Sequence, residues 1–169
     1  MRTTVVEVRD GQHLRHEDRL ATEEPLEIRL VWPGAEARRL AVTMRTPGHD
    51  FELAAGWLIG EQIQTASAIT SVRYCTDVDL APDEEFNVVT VEASTPPAYL
   101  PQARAISSAC GVCGSTSIDD ALRGPLPTAG DAVVPLDVVH GLPELLRSGQ
   151  PGFDRTGGLH AAGLFTTDG

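Results

Sequence analysis

The sequence predicts a mixed α+β fold, on three observations. Apolar and polar residues alternate over 26–32 and return over 39–45, as they do in half-buried strands. Pro33-Gly34 between the two runs marks a turn, so the pair reads as a hairpin. Phe51, Leu53, Ala54, Trp57, Leu58 and Ile63 then recur at helical spacing.

Taken in order, residues 3–8 alternate loosely and predict a strand at a sheet edge. The polar run 9–22, rich in Arg, His and Asp, predicts a connecting loop. Glu24-Pro25 opens the first strand of the hairpin. After the second, Thr46 or Asp50 is placed to cap the helix, and His49 at its entrance reads as a solvated cap residue rather than a ligand contact. Trp57 and Phe51 are expected in the core. Residues 69–74 and 86–91 predict two more strands, joined by the acidic turn Ala81-Pro82-Asp83-Glu84-Glu85. Cys75, alone in strand context, reads as buried and inert.

Thr95-Pro96-Pro97 and Pro101 stiffen an extended passage where the first domain is expected to end. The expected division is 1–104 for an N-terminal α+β domain, 105–130 for a loop and linker, and 131–169 for an incomplete second domain. Residues 135–146 have helical spacing broken by Gly141 and Pro143, and Pro143 predicts a helix start or a kink. Gly157-Gly158 permits close backbone approach, and 159–165 suits a buried strand. Asp168-Gly169 is a hairpin signal without a returning strand, which reads as a chain cut inside its second domain.

Composition narrows the function. Of 169 residues, 24 are acidic and 13 basic, every base is arginine, and the net charge is −11. Such acidity argues against nucleic acid or an anionic membrane surface as the main partner, while leaving room for an anion held by a local arginine cluster. No apolar window is long enough for a signal peptide or a membrane span. Three cysteines without a secretory signal fit a reducing compartment, and a cytoplasmic location is expected.

The chemistry is concentrated in Cys110-Gly111-Val112-Cys113-Gly114, followed by Ser117-Ile118-Asp119-Asp120, which reads as a capped first helical turn. A free thiol has a pKa of roughly 8.5, and a second thiol in a Cys-x-x-Cys loop or a helix N-terminus lowers it to ~3.5–7.5. A structural zinc site needs four ligands, and no second Cys-x-x-Cys exists; Cys75, His49, His140 and His160 have no ligand spacing. A thioredoxin-like pair expects a long helix afterwards, but Gly124-Pro125 stops this one within about two turns. Two buried structural cysteines are disfavoured because the glycine after each does not suit a packed core. What remains is a sulfur-handling cysteine outside the thioredoxin fold. Arg104, Arg123 and Arg155 are candidates for holding phosphate or steadying a thiolate, and Gly157-Gly158 for offering N–H groups to phosphate.

Four segments in order carry a resemblance: Glu24-Pro25-Leu26-Glu27-Ile28, Arg45-Thr46-Pro47-Gly48-His49-Asp50-Phe51-Glu52-Leu53, Cys110-Gly111-Val112-Cys113-Gly114 and Arg155-Thr156-Gly157-Gly158-Leu159-His160-Ala161-Ala162. Together they resemble the FdhD family of sulfur carrier proteins. The resemblance implies a small N-terminal α/β domain followed by the start of a cytidine-deaminase-like three-layer domain, in a homodimer. It implies transfer of persulfide sulfur from a cysteine desulfurase to the molybdenum (or tungsten) bis-guanine-dinucleotide cofactor, the substrate, which formate dehydrogenase then receives. On that analogy Cys110 carries the persulfide and Cys113 assists by relay or by protective disulfide formation. Arg155, Thr156, Gly157, Gly158 and His160 belong to the cofactor-binding segment, and no metal is ligated by the protein. A non-catalytic chaperone that only binds the molybdenum cofactor is the alternative; a zinc-dependent deaminase, which the fold analogy also suggests, needs a His-x-Glu that the chain lacks. One departure is His49 where the family pattern leads to an acidic residue, with Asp50 next to it.

Overall fold

The computed structural model describes residues 1–75, 85–101, 104–106 and 132–169. The chain divides into two units, one of Glu23–Pro127 and one of Met1–Thr22 with Thr128–Gly169. The class is mixed α and β, as expected.

The Glu23–Pro127 unit is built on a five-stranded sheet. Its strands are β3 (Glu24–Val31), β4 (Arg38–Arg45), β5 (Ile69–Tyr74), β6 (Val88–Ala93) and β7 (Arg104–Ile106), in the order β5-β6-β3-β4-β7. The expected hairpin is β3 against β4, antiparallel from Glu24↔Arg45 onward. β6 lies parallel on the other side of β3, starting at Glu27↔Val88. Pro25 therefore precedes the β6 register and is paired only with β4, so its missing N–H costs no ladder bond on the β6 side.

Alternation along β3 sends Leu26, Ile28 and Leu30, all fully buried, to one face. Helix α1 (Asp50–Gly60) covers that face with Ala54 and Leu58, joined in one core by Ile63, Leu40, Val89 and Val91. Each fully buried Leu, Ile or Val side chain contributes roughly 1.5–3 kcal/mol over its exposed state. The opposite side of β3 is charged, with Glu27 accepting from Arg29 at 2.6 Å and paired with Arg39 at 2.6 Å. β4 departs from simple alternation. The register steps from Ile28↔Ala41 to Arg29↔Arg39, so Leu40 is the extra residue of a bulge, and Leu40 and Ala41 are buried side by side.

Two expectations for α1 change. Asp50, a candidate cap, is instead the first helical residue and is buried, while His49 is, as expected, the exposed N-cap residue, without a side-chain capping bond. The buried stripe runs Asp50, Ala54, Leu58 at i, i+4, i+8. Phe51 lies about 100° round from that stripe and is 38% exposed rather than in the core, whereas Trp57 is half-buried against it.

The other unit holds β1 (Arg2–Arg9) and β2 (Gln12–Arg19), an antiparallel hairpin where a loop was expected over 9–22. Asp10 (φ 52°) and Gly11 (φ 77°) form its two-residue turn, and Arg9↔Gln12 closes the ladder. Both φ values are positive, which is the left-handed turn that Asp-Gly favours. Helix α2 (Leu136–Ser148) runs unbroken through Pro143, and α3 (Pro151–Thr156) follows after Gln150.

Residues 159–165 are not the expected buried strand: they carry no regular structure and most are exposed. Among the described residues of this unit the only ladder is β1–β2, and 159–165 pair with neither of its strands. The segment packs by side chains instead. A Cβ on Gly152 would meet Leu159 at 2.6 Å, and one on Gly163 would meet Phe165 at 2.7 Å and Leu146 at 2.9 Å. Thr166 and Gly169 close a turn through a 3.0 Å backbone bond. Among the described residues no helix is long and apolar enough to cross a membrane.

Candidate functional site

Sheet topology gathers several of the singled-out segments at one end of the Glu23–Pro127 unit. β4 ends at Arg45, opposite the start of β3 at Glu24. β6 starts at that same end, just after Phe86 and Asn87, and β5 finishes there at Tyr74 opposite Val89. β7 runs parallel to β4 with Ile106 beside Thr43. β7 therefore ends at Ile106, four residues before Cys110 in the sequence, at the end where β4 delivers Thr46-Pro47-Gly48-His49-Asp50. Cys110, Cys113 and Arg123 themselves lie outside the described residues.

A buried ion pair organises this end. Arg45 donates from Nε to Asp50 Oδ1 at 3.1 Å and from Nη2 to Asp50 Oδ2 at 2.8 Å, a two-bond fork. The two side chains are 5% and 2% exposed, so the pair is withdrawn from water. Nη2 also donates to Asn87 Oδ1 at 2.8 Å and to the Phe86 carbonyl at 3.2 Å, and Nη1 to Glu24 Oε2 at 3.4 Å. The Tyr74 hydroxyl donates to Asp50 Oδ2 at 3.1 Å. Strands β3, β4, β5 and the turn before β6 are thereby tied to the first residue of α1. Above the pair, Phe51 and Tyr74 rings pack at 4.8 Å and Tyr74 and Phe86 edge-on at 5.4 Å.

The sequence signal for this network was an Arg and an Asp five residues apart across a Pro-Gly turn, but reading Asp50 as a cap hid the pairing. Cys75, by contrast, is buried as expected, with Arg29 Nη1 at 3.7 Å from its sulfur.

Tyr74 gives the network a pH signature. Burial first, then the Asp50 carboxylate, raises the phenol above its ordinary value of 10.0. Above pH 10.0 the unfolded chain has released the proton that the folded chain still holds, so stability falls as pH climbs toward the folded pKa. Urea midpoints measured across that alkaline window are expected to decline in the wild type and to decline less in Tyr74→Phe. Equal slopes would show that Tyr74 carries none of the effect.

The predicted cofactor-binding segment lies in the other unit. Arg155 and Thr156 end α3, and Gly157 terminates it in the left-handed conformation at φ 67°. The Thr156 hydroxyl donates back to the Gly152 carbonyl at 2.8 Å, so it is committed to the helix. Arg155, Gly157, Gly158 and His160 are exposed. Arg155 and Thr156 line a cleft of about 370 Å³ with Met1, Arg2, Arg19 and Leu20, from the open end of the β1–β2 hairpin.

Comparison with known proteins places these segments in context. A model of the FdhD/NarQ family matches residues 21–169. The chain belongs to the FdhD/NarQ family.

Among its relatives, the sulfur carrier protein FdhD of Nocardia farcinica is 43% identical over 172 residues, which is 99% of this chain and 60% of that protein. The sulfur carrier protein FdhD of Streptomyces coelicolor is 39% identical over 176 residues, covering 99% of this chain and 61% of its own. The chain thus spans about 60% of the length of these FdhD relatives. A crystal structure of a Desulfotalea psychrophila protein, described as a formate dehydrogenase accessory protein, superposes with a TM-score of 0.63 at 19% identity. It covers 93% of this chain and 54% of that one, and shows a shared fold. All four motif segments fall inside the FdhD/NarQ match, while β1–β2 precedes it.

Proposed function

We propose that the protein carries persulfide sulfur from a cysteine desulfurase to the molybdenum bis-guanine-dinucleotide cofactor that formate dehydrogenase receives. The observation that supports this best is Cys110-x-x-Cys113, with a glycine after each cysteine, inside an FdhD/NarQ match whose relatives are named sulfur carriers. Cys110, as thiolate, attacks the outer sulfur of the desulfurase persulfide. Its new S–S bond forms as the old one breaks, and the desulfurase cysteine leaves as thiolate. Cys113 assists, by relay or by holding the pair as a disulfide between turnovers.

Arg155, Thr156, Gly157, Gly158 and His160 hold the phosphate-rich arms of the cofactor substrate. The reading extends to a cytoplasmic homodimer whose 131–169 segment begins a cytidine-deaminase-like domain.

The test is mass spectrometry after incubation with a cysteine desulfurase and cysteine, on this chain and on a full-length version. One added sulfur on Cys110 or Cys113 is expected. Folded, reduced protein that acquires none would overturn the mechanism.

A further inference from the structure

We propose that the open end of the β1–β2 hairpin completes a diphosphate-binding cleft with Arg155. The proposal rests on reading Arg155–Gly158 as a ligand-holding segment and adds to it two arginines from outside the family match.

Three arginines, Arg2, Arg19 and Arg155, are among the residues that line one cleft of about 370 Å³. That volume lies at the small end of the range of roughly 300–1,000 Å³ for small-molecule sites. Arg2 and Arg19 are direct cross-strand partners in the ladder. Like charges placed opposite each other on one face of an antiparallel pair repel and destabilise it. The chain is strongly acidic, yet it leaves this repulsion largely unneutralised. Arg2 reaches Glu17 at 3.4 Å on the exposed flank, but among the described residues neither the Arg19 nor the Arg155 guanidinium has a carboxylate partner.

An anion with several acceptor oxygens resolves the arrangement, because planar guanidinium forks match phosphate geometry in pairs of parallel bonds. Three such groups suit two linked phosphates better than one. Met1 and Leu20 supply apolar flanks to the cleft, and Thr156 is already bonded to Gly152, so the arginines provide the recognition. The ligand class is therefore a diphosphate, free or as part of a dinucleotide.

Isothermal titration calorimetry with inorganic pyrophosphate on the whole chain, at low and at raised salt, tests this. The wild type is expected to bind, more weakly as salt rises. Arg19→Gln and Arg2→Gln should each weaken binding by about tenfold or more, as loss of a charge-assisted contact does. Their ligand-free melting temperatures should stay level or rise, since a like-charge pair has been relieved. Arg9→Gln, at the far end of the same hairpin, should bind as wild type. No pyrophosphate binding by the wild type, or undiminished binding by Arg19→Gln and Arg2→Gln, overturns the proposal. Weakening in Arg155→Gln alone would retain the Arg155 segment and remove the hairpin. Weakening in Arg19→Gln of a chain that never acquires a persulfide would keep the cleft and remove the sulfur-carrier reading.

Discussion

Asp50→Ala is expected to lower the stability of the sheet unit by about 3 kcal/mol or more. The substitution leaves the Arg45 guanidinium, 5% exposed, without the carboxylate that takes two of its bonds. Removing one partner of a buried pair typically costs ~3–5 kcal/mol, because the survivor's charge stays desolvated. Glu24 at 3.4 Å and the Asn87 and Phe86 oxygens remain, which places the value toward the lower end of that range. Urea unfolding should show the midpoint falling while the slope holds. A double-mutant cycle with Arg45→Met should return a coupling energy of about 2 kcal/mol or more, since the double variant has no stranded charge. A single-variant cost below about 1 kcal/mol would mean that water reaches the pair.

In the full-length protein, Cys110→Ala is expected to reduce formate dehydrogenase activity in a complemented cell on the order of a hundredfold or more, with dehydrogenase abundance unchanged. Loss of a covalent nucleophile has effects of at least that size. Cys75→Ala serves as the comparison: its sulfur is buried in the sheet unit, so it should affect stability and leave maturation near the wild-type level. Retained maturation in Cys110→Ala would favour the cofactor-binding chaperone over the sulfur carrier. The distinction is sharp because a chaperone depends on ligand contacts such as those proposed for Arg155, and a carrier depends on the thiol as well.

Much of the sheet unit was legible before any coordinates. Period-two patterning located β3 and β5, and helical spacing located α1, because each element buries one face and the burden falls on its own side chains. The bulge at Leu40 was not legible, since two adjacent buried apolar residues look the same in a regular strand and at a register step. The β1–β2 hairpin was missed although Asp10-Gly11 announces its turn. β2 is exposed throughout and, Leu14 apart, polar, so the hydrophobic pattern that identifies most strands is absent from it. At 159–165 the error ran the other way: an apolar run implied a strand, but hydrogen bonding demands a neighbouring edge that composition does not reveal.

For the candidate site the division is similar. The Cys-x-x-Cys loop and the Arg155-Thr156-Gly157-Gly158 segment stand out from residue types alone, because their chemistry is local to a few consecutive positions. Arg45 with Asp50, and Arg2 and Arg19 with Arg155, become groups only through long-range pairing. Charge interactions fall off over ångströms while chain positions are separated by turns, strands or more than a hundred residues. The local alphabet of this chain dictates where most strands and helices form and which short stretch holds the paired cysteines. Packing alone settles which charges meet, because that depends on strand order and register rather than on any contiguous stretch of residues.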